Sequence, residues 1–159
     1  MPQVGDFFES YRANEFQFTV DGVTTPMHGV SKISGLSEGE LDTIDQPDGG
    51  SYHVYKIAAA KVKFEPLTIE RYVDGSTEDK FFRDWFQATF RLNNPPQNGG
   101  SSVRKNGMIQ KLHNGEVVLT FSFHQAWCKS SKFTDLEAGS TGLMKQTIVL
   151  EHEGLQRED

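Results

Sequence analysis

The chain has 159 residues, of which 36% are hydrophobic and 24% charged, with 15 Gly, 12 Phe and a formal net charge of −6. That length is enough for one domain with a sizeable core, and the acidic balance argues against a protein held to nucleic acid by phosphate contacts. A single cysteine, Cys128, excludes an intrachain disulfide and a cysteine metal cluster. The opening Met-Pro-Gln-Val-Gly-Asp lacks a signal-peptide pattern, and no window approaches the ~20 apolar residues of a membrane span. The expectation is a soluble protein made in a reducing cytoplasm, without a membrane anchor.

Residues 1–13 read as a polar lead-in in which Phe7, Phe8 and Tyr11 form one aromatic cluster; residues 14–159 read as a single domain. Over 15–20 the chain alternates, with Phe16, Phe18 and Val20 on one face of a half-buried strand. Asp21-Gly22 before Val23 is a hairpin signal. A second strand is expected over 28–34, with Val30 and Ile33 inward. The stretch 36–57 differs: two polar strands are joined by Gln46-Pro47-Asp48-Gly49-Gly50, and only Leu41 and Ile44 are apolar in the first. A hairpin so poor in core residues is not stable alone. It is either a mobile loop or an arm that pairs with another chain; Tyr52, Val54, Tyr55 and Ile57, which suit burial against a neighbour, favour the arm. Residues 61–72 alternate in two phases, Val62 and Phe64 and then Leu67 and Ile69, with Pro66 at the change.

One helix is predicted, over 77–90. Phe81, Phe82, Trp85, Phe86 and Phe90 recur at helical spacing and form a wide apolar stripe. Ser76 suits the N-cap, and Glu78 and Asp79 put negative charge where the helix dipole favours it. Such a stripe is core, and Arg83, Asp84 and Gln87 then face solvent or a neighbouring subunit. Residues 93–102 form a Pro/Gly-rich loop. Asn106-Gly107 opens a strand to Leu112, and His113-Asn114-Gly115-Glu116 is a sharp hairpin signal. A long strand follows, with Val117, Leu119, Phe121 and Phe123 opposite Thr120, Ser122 and His124. The final strand, 143–153, has Met144, Ile148 and Leu150 on one face and Lys145, Thr147, Glu151 and Glu153 on the other. The sum is a mainly β protein: an antiparallel β-sandwich or open barrel with one flanking helix and a long extended hairpin.

Chemistry is thinly represented. His28, His53, His113, His124 and His152 lie on different strands and turns without metal-ligand spacing, and no nucleophile elbow, P-loop or dinucleotide fingerprint occurs. Cys128 reads as a small buried hydrophobe. No cofactor, metal or catalytic residue is expected.

Six stretches, in order, resemble one family. They are Phe16-Gln17-Phe18-Thr19-Val20-Asp21-Gly22, Val30-Ser31-Lys32-Ile33-Ser34-Gly35-Leu36, Phe82-Arg83-Asp84-Trp85-Phe86, Arg104-Lys105-Asn106-Gly107, Gln125-Ala126-Trp127 and Ile148-Val149-Leu150-Glu151-His152-Glu153-Gly154-Leu155. Together they are similar to the tail-tube proteins of contractile phages and contractile injection systems. The resemblance implies a β-barrel-like subunit that forms hexameric rings, stacked into a hollow inner tube within a contractile sheath. It also implies sheath, baseplate or spike, and tube-terminating partners, possible cargo in the lumen, and residence in a phage tail or phage-tail-like particle, released or membrane-anchored. Lys145, Thr147, Glu151 and Glu153 are then candidate lumen-facing residues. Leu41, Ile44, Tyr52, Val54, Tyr55 and Ile57 are candidate subunit contacts. A tube-end or baseplate-hub relative, a ligand-binding β-barrel, and an enzyme using His124 or His152 are the alternatives.

Overall fold

The computed structural model describes residues 3–4, 7–8, 10–21, 27, 29–89 and 103–158. In chain order the elements are β1 (Gln3–Val4), β2 (Phe7–Phe8), β3 (Phe16–Val20), β4 (Val30–Ser34), β5 (Glu40–Pro47) and β6 (Val54–Lys63). They continue with β7 (Leu67–Tyr72), α1 (Thr77–Thr89), β8 (Lys105–His113), β9 (Glu116–Phe133), β10 (Lys145–Glu151) and β11 (Gly154–Arg157). The expected mainly β architecture with a single helix is therefore borne out among the described residues.

Seven strands form one antiparallel sheet in the order β3-β8-β9-β10-β7-β4, with β11 added on β9. The 18-residue β9 belongs to both halves of it. Its first part pairs with β8 and β11, and its second part pairs with β10. Gln125, at the join, has φ 55, a left-handed conformation that re-aims the strand. Two leaves result, and their inner faces share one core: Phe18, Val20, Ile109 and Phe123 from one, Leu67, Ile69, Ile148 and Leu150 from the other.

The helix covers that core with Phe82, Trp85 and Phe86, while Phe81 is only half-buried. Phe82 sits at the centre: its ring lies 6.4 Å from Phe18, 6.3 Å from Trp85 and 5.6 Å from Phe86, and Phe18 stacks on Phe123 at 5.8 Å. Fully burying rings of this kind contributes on the order of 2–3 kcal/mol each. Ser76 caps the helix, its hydroxyl accepting the Asp79 N–H at 3.4 Å. Arg83, Asp84 and Gln87 are exposed, as the periodicity predicts. Phe90, Phe7, Phe8 and His28 lie outside what is described of side chains, as do the 93–102 loop and the turn at Gly22.

The hairpin signals fare differently. Asn114 and Gly115 both take positive φ, 52° and 86°, as a two-residue turn between twisted strands requires. The Asp21-Gly22 signal falls on residues that are not described; beyond it the Met27 N–H donates to the Phe18 carbonyl, and on its other edge β3 takes β8 as ladder partner. Two glycines are dictated by close approach. A Cβ on Gly107 would lie 2.3 Å from the Phe123 ring and 2.5 Å from the Thr19 carbonyl, and one on Gly35, at φ 89, would lie 2.2 Å from the Pro66 carbonyl.

Two expected elements are corrected. The long hairpin is not 36–57: its second arm runs on to Lys63, so Val62 belongs to the hairpin and is exposed, while Pro66 separates it from β7 in the main sheet. The last strand is not continuous over 143–153: β10 ends at Glu151, and β11 turns to pair with β9. Its inner face also holds a polar residue, Gln146, between Met144 and Ile148.

Candidate functional site

With little catalytic chemistry in the sequence, the candidate site is a set of surfaces. The first is the hairpin. β5 and β6 pair with each other and with no other strand among the described residues. The register sets Ile44 against Ile57 and Gln46 against Tyr55, so alternation brings Ile44, Ile57 and Tyr55 to one side. Their exposures of 54%, 44% and 52% show that the core of this chain does not use them. Leu41 and Val54 are similarly exposed, and Tyr52 stands fully in solvent beside the turn. Asp48 closes that turn by accepting the Gly50 N–H and the Ser51 hydroxyl. Exposed pairs Lys56–Asp45 (3.2 Å) and Lys63–Asp42 (2.6 Å) tie the two strands together. The side chain of Asp42 bonds to Lys63 and raises that amine's pKa.

The second surface is the outward face of β10. Lys145, Thr147 and Glu151 all lie on it, half-buried, while Gln146, Ile148 and Leu150 point to the core. Thr147 stands between Glu70 of β7 and Lys132 of β9 in the ladders. Glu151 pairs with Lys129 at 3.2 Å, and the Lys145 ammonium lies 5.5 Å from the Tyr72 ring. Glu153 does not share this ladder. It sits in the bend between β10 and β11, where its N–H donates to the His124 carbonyl and its carboxylate pairs with Arg104.

Pattern reading missed Arg71. It is fully buried, in phase with Leu67 and Ile69 on the inner face of β7. Its Nη1 donates to Asp79 Oδ1 at 2.8 Å and to Gln146 Oε1 at 2.9 Å, and its Cζ lies 5.3 Å from the centre of the Phe82 ring. Gln146 Nε2 in turn donates to the Ser131 hydroxyl at 2.7 Å. One guanidinium thus ties β7, α1, β10 and β9 together. The signal was present: the alternation of β7, extended two residues beyond Ile69, lands on an arginine that needs a carboxylate. The network fastens the helix to the sheet, with the guanidinium itself fully buried.

Other reactive groups point the same way. Burial pushes the Cys128 thiol up to about 12, so it is neither a thiolate nor a nucleophile near neutral pH. Among the described residues no group of three His, Cys, Asp or Glu side chains is placed to hold a metal ion, and no helix is long and apolar enough to cross a membrane.

Among the described residues the β5–β6 pair is exposed and has no further strand partner. Residues 12–156 match the family described as T4-like virus tail tube protein gp19. The chain belongs to that family. A tail-tube protein is a structural subunit, a component of a phage tail or of a contractile injection system particle. Solved structures with the tail-tube fold are similar over nearly the whole chain. One is a chain in the sheath–tube complex of PVC, an extracellular contractile injection system, in its extended state: 20% identity, TM-score 0.72, covering 94% of this chain and 91% of that one. Another is in the sheath/tube terminator of the same system, with 20% identity, TM-score 0.74 and coverage of 96% and 99%. Hcp1 of Flavobacterium johnsoniae is more distant, at 16% identity and TM-score 0.52, covering 91% and 94%. No curated protein sequence matches the chain.

Proposed function

We propose that this tail-tube protein is the main subunit of the hollow inner tube of a contractile injection system or phage tail. Six copies form a ring and rings stack inside a contractile sheath, with baseplate or spike proteins at one end and a terminator at the other. It is assembled in the cytoplasm and carries no catalytic activity. The observation that carries the reading is the β5–β6 arm, whose apolar side chains have no use within the subunit. Leu41, Ile44, Tyr52, Val54, Tyr55 and Ile57 are its contact residues. Glu40 and Lys63 face each other in the ladder, so a short Gly–Ser bridge can replace residues 40–63 without disturbing the body. The shortened protein is expected to keep its circular dichroism and melting transition and to form no tubes in negative-stain images. Long tubes from the armless protein would refute the assembly role. Isolated rings from the intact protein, with no stacking under any condition, would favour a tube-end subunit instead.

In the same reading the outward face of β10 lines the bore, with Lys145, Thr147 and Glu151 on it and Glu153 at its end. Support comes from its polar character on a strand whose other face is core. Because Glu151 pairs with Lys129 and Glu153 with Arg104, six copies would make a weaker negative field than the carboxylates alone, and salt would reduce it further. Cysteines introduced as Thr147→Cys or Glu151→Cys in a Cys128→Ser background test the placement. In assembled tubes a small maleimide should label them quickly and a bulky one slowly. Equal rates with both, matching an outer-surface control, would put this face outside.

A further inference from the structure

Two places in the body lie outside the strand ladders. One is an apolar cleft of about 250 Å³ between β3 and β4, the two ends of the main sheet order, walled by Phe16, Ile33, Leu36, Ile109 and Phe121. The other is the linker 64–66, which joins the arm to β7. Phe64 rests on the core, Glu65 is exposed, and Pro66 has no N–H to donate. Among the described residues a single hydrogen bond reaches this linker, and it comes from a side chain: His152 Nε2 lies 2.9 Å from the Glu65 carbonyl oxygen. The imidazole also packs against the Phe64 ring, with 5.8 Å between centres and 56° between planes. His152 sits in the bend between β10 and β11, so it fastens the root of the arm to the body.

The contact dictates the state of the ring. A carbonyl oxygen only accepts, so Nε2 carries a proton. Nδ1 is sealed from solvent and has no partner among the described residues. A second proton there would be a buried N–H without an acceptor, on a ring that had also become a cation. The charged groups around the bend are engaged elsewhere: Glu151 with Lys129, Glu153 with Arg104 and, at the base of the arm, Asp42 with Lys63. His124, opposite Gly154 in the β9–β11 ladder, and Glu65 are exposed. The closed contact therefore selects the neutral ring, and a charged ring is accommodated by turning out to water.

We propose that His152 is a proton-sensitive latch on the root of the arm. With the ring neutral, the linker is held on the body and the arm keeps one direction. Acid adds a proton at Nδ1. The ring then leaves its seat, the Glu65 carbonyl is released to water, and the arm swings on its two connections to the body, at 35–39 and 64–66. The closed state binds one proton fewer than the open state, so acidification opens the latch and neutralisation recloses it, within the range of about pH 5–8 where imidazoles change charge. The latch belongs to the single subunit and does not depend on what the arm touches.

Spin labels test it in the dilute full-length subunit. They are placed through Tyr52→Cys beside the turn of the arm and Ala88→Cys on the exposed side of the helix, in a Cys128→Ser background. At about pH 7.5 the distance distribution should be narrow, and at about pH 5 a broad component should grow about fivefold, the weight of one net hydrogen bond. His152→Gln sets an amide N–H where the Nε2–H was and does not titrate, so its distribution should stay narrow at both pH values. His152→Phe removes the donor and should be broad at both. A parent that is broad at neutral pH, or that ignores acid, overturns the latch. So does a His152→Gln variant that broadens in acid as the parent does, since another group then responds. If the His152→Phe variant does not fold, the parent and the His152→Gln variant still decide. Assembly is not read, so either result leaves the tube reading as it stood.

Discussion

Replacing Asp79 with alanine is expected to destabilise the subunit by about 3–5 kcal/mol, although Asp79 itself is partly exposed. The reason lies in its partner. Arg71 is buried completely, and Asp79 is its only carboxylate at hydrogen-bond distance among the described residues; Asp74 lies 3.9 Å away. The Asp74 carboxyl pKa is itself lowered, chiefly by the hydrogen bond from Ser76, with Arg71 a smaller contributor. Remove Asp79 and a guanidinium remains in the core, with Gln146 below it and with Nε and Nη2 already lacking acceptors among the described residues. The helix loses its fastening too, since Asp79 Oδ2 accepts the Gly75 N–H ahead of the first turn. For a chain of this size the loss corresponds to a fall in Tm of about 6–20 °C. The double variant Arg71→Met with Asp79→Ala should recover much of it, because an apolar side chain of similar length needs no counter-charge. An Asp79→Ala protein with the parental urea midpoint would show that the buried charge is satisfied elsewhere.

Trp85→Ala is expected to cost about as much, on the order of 3–5 kcal/mol. Trp85 is 3% exposed, and it fills the space between Phe82, Phe86 and Phe81. Its Nε1–H also donates to the Val103 carbonyl at 2.7 Å, which fastens the helix to the segment just ahead of β8. Truncation therefore opens a cavity and orphans a buried acceptor. Trp85→Phe separates the two: it keeps most of the packing and loses the hydrogen bond, so about 1–3 kcal/mol should go. If the alanine variant unfolds as late as the parent and still assembles, the helix is not the lid of the core.

The helix was legible because five aromatic residues at helical spacing leave few other arrangements, and β9 because its alternation is long. The arm was legible by what it lacks, an apolar face in its first strand large enough to fold alone. Its extent was not, since Val62 and Phe64 alternate as well in an arm as in a sheet, and only the break at Pro66 separates them. Arg71 and Gln146 were missed for a shared reason: an inner-face polar residue interrupts the apolar period, and its partner lies 75 positions away in sequence. The cleft between β3 and β4 belongs to the same class. It depends on which strands end the sheet, and that order follows from pairings far apart along the chain.

The kink at Gln125 has a mechanical consequence. Because β9 crosses from one leaf to the other without a loop, a force along it is carried through covalent backbone and shared among the ladders on its flanks. Those ladders shear, so many hydrogen bonds must yield together. A force that parts β3 from β4 meets no such ladder among the described residues and opens the seam at its cleft. The subunit is therefore expected to be stiff along β9 and compliant across the seam, which makes the seam the place where a neighbour's contact would most change its rigidity.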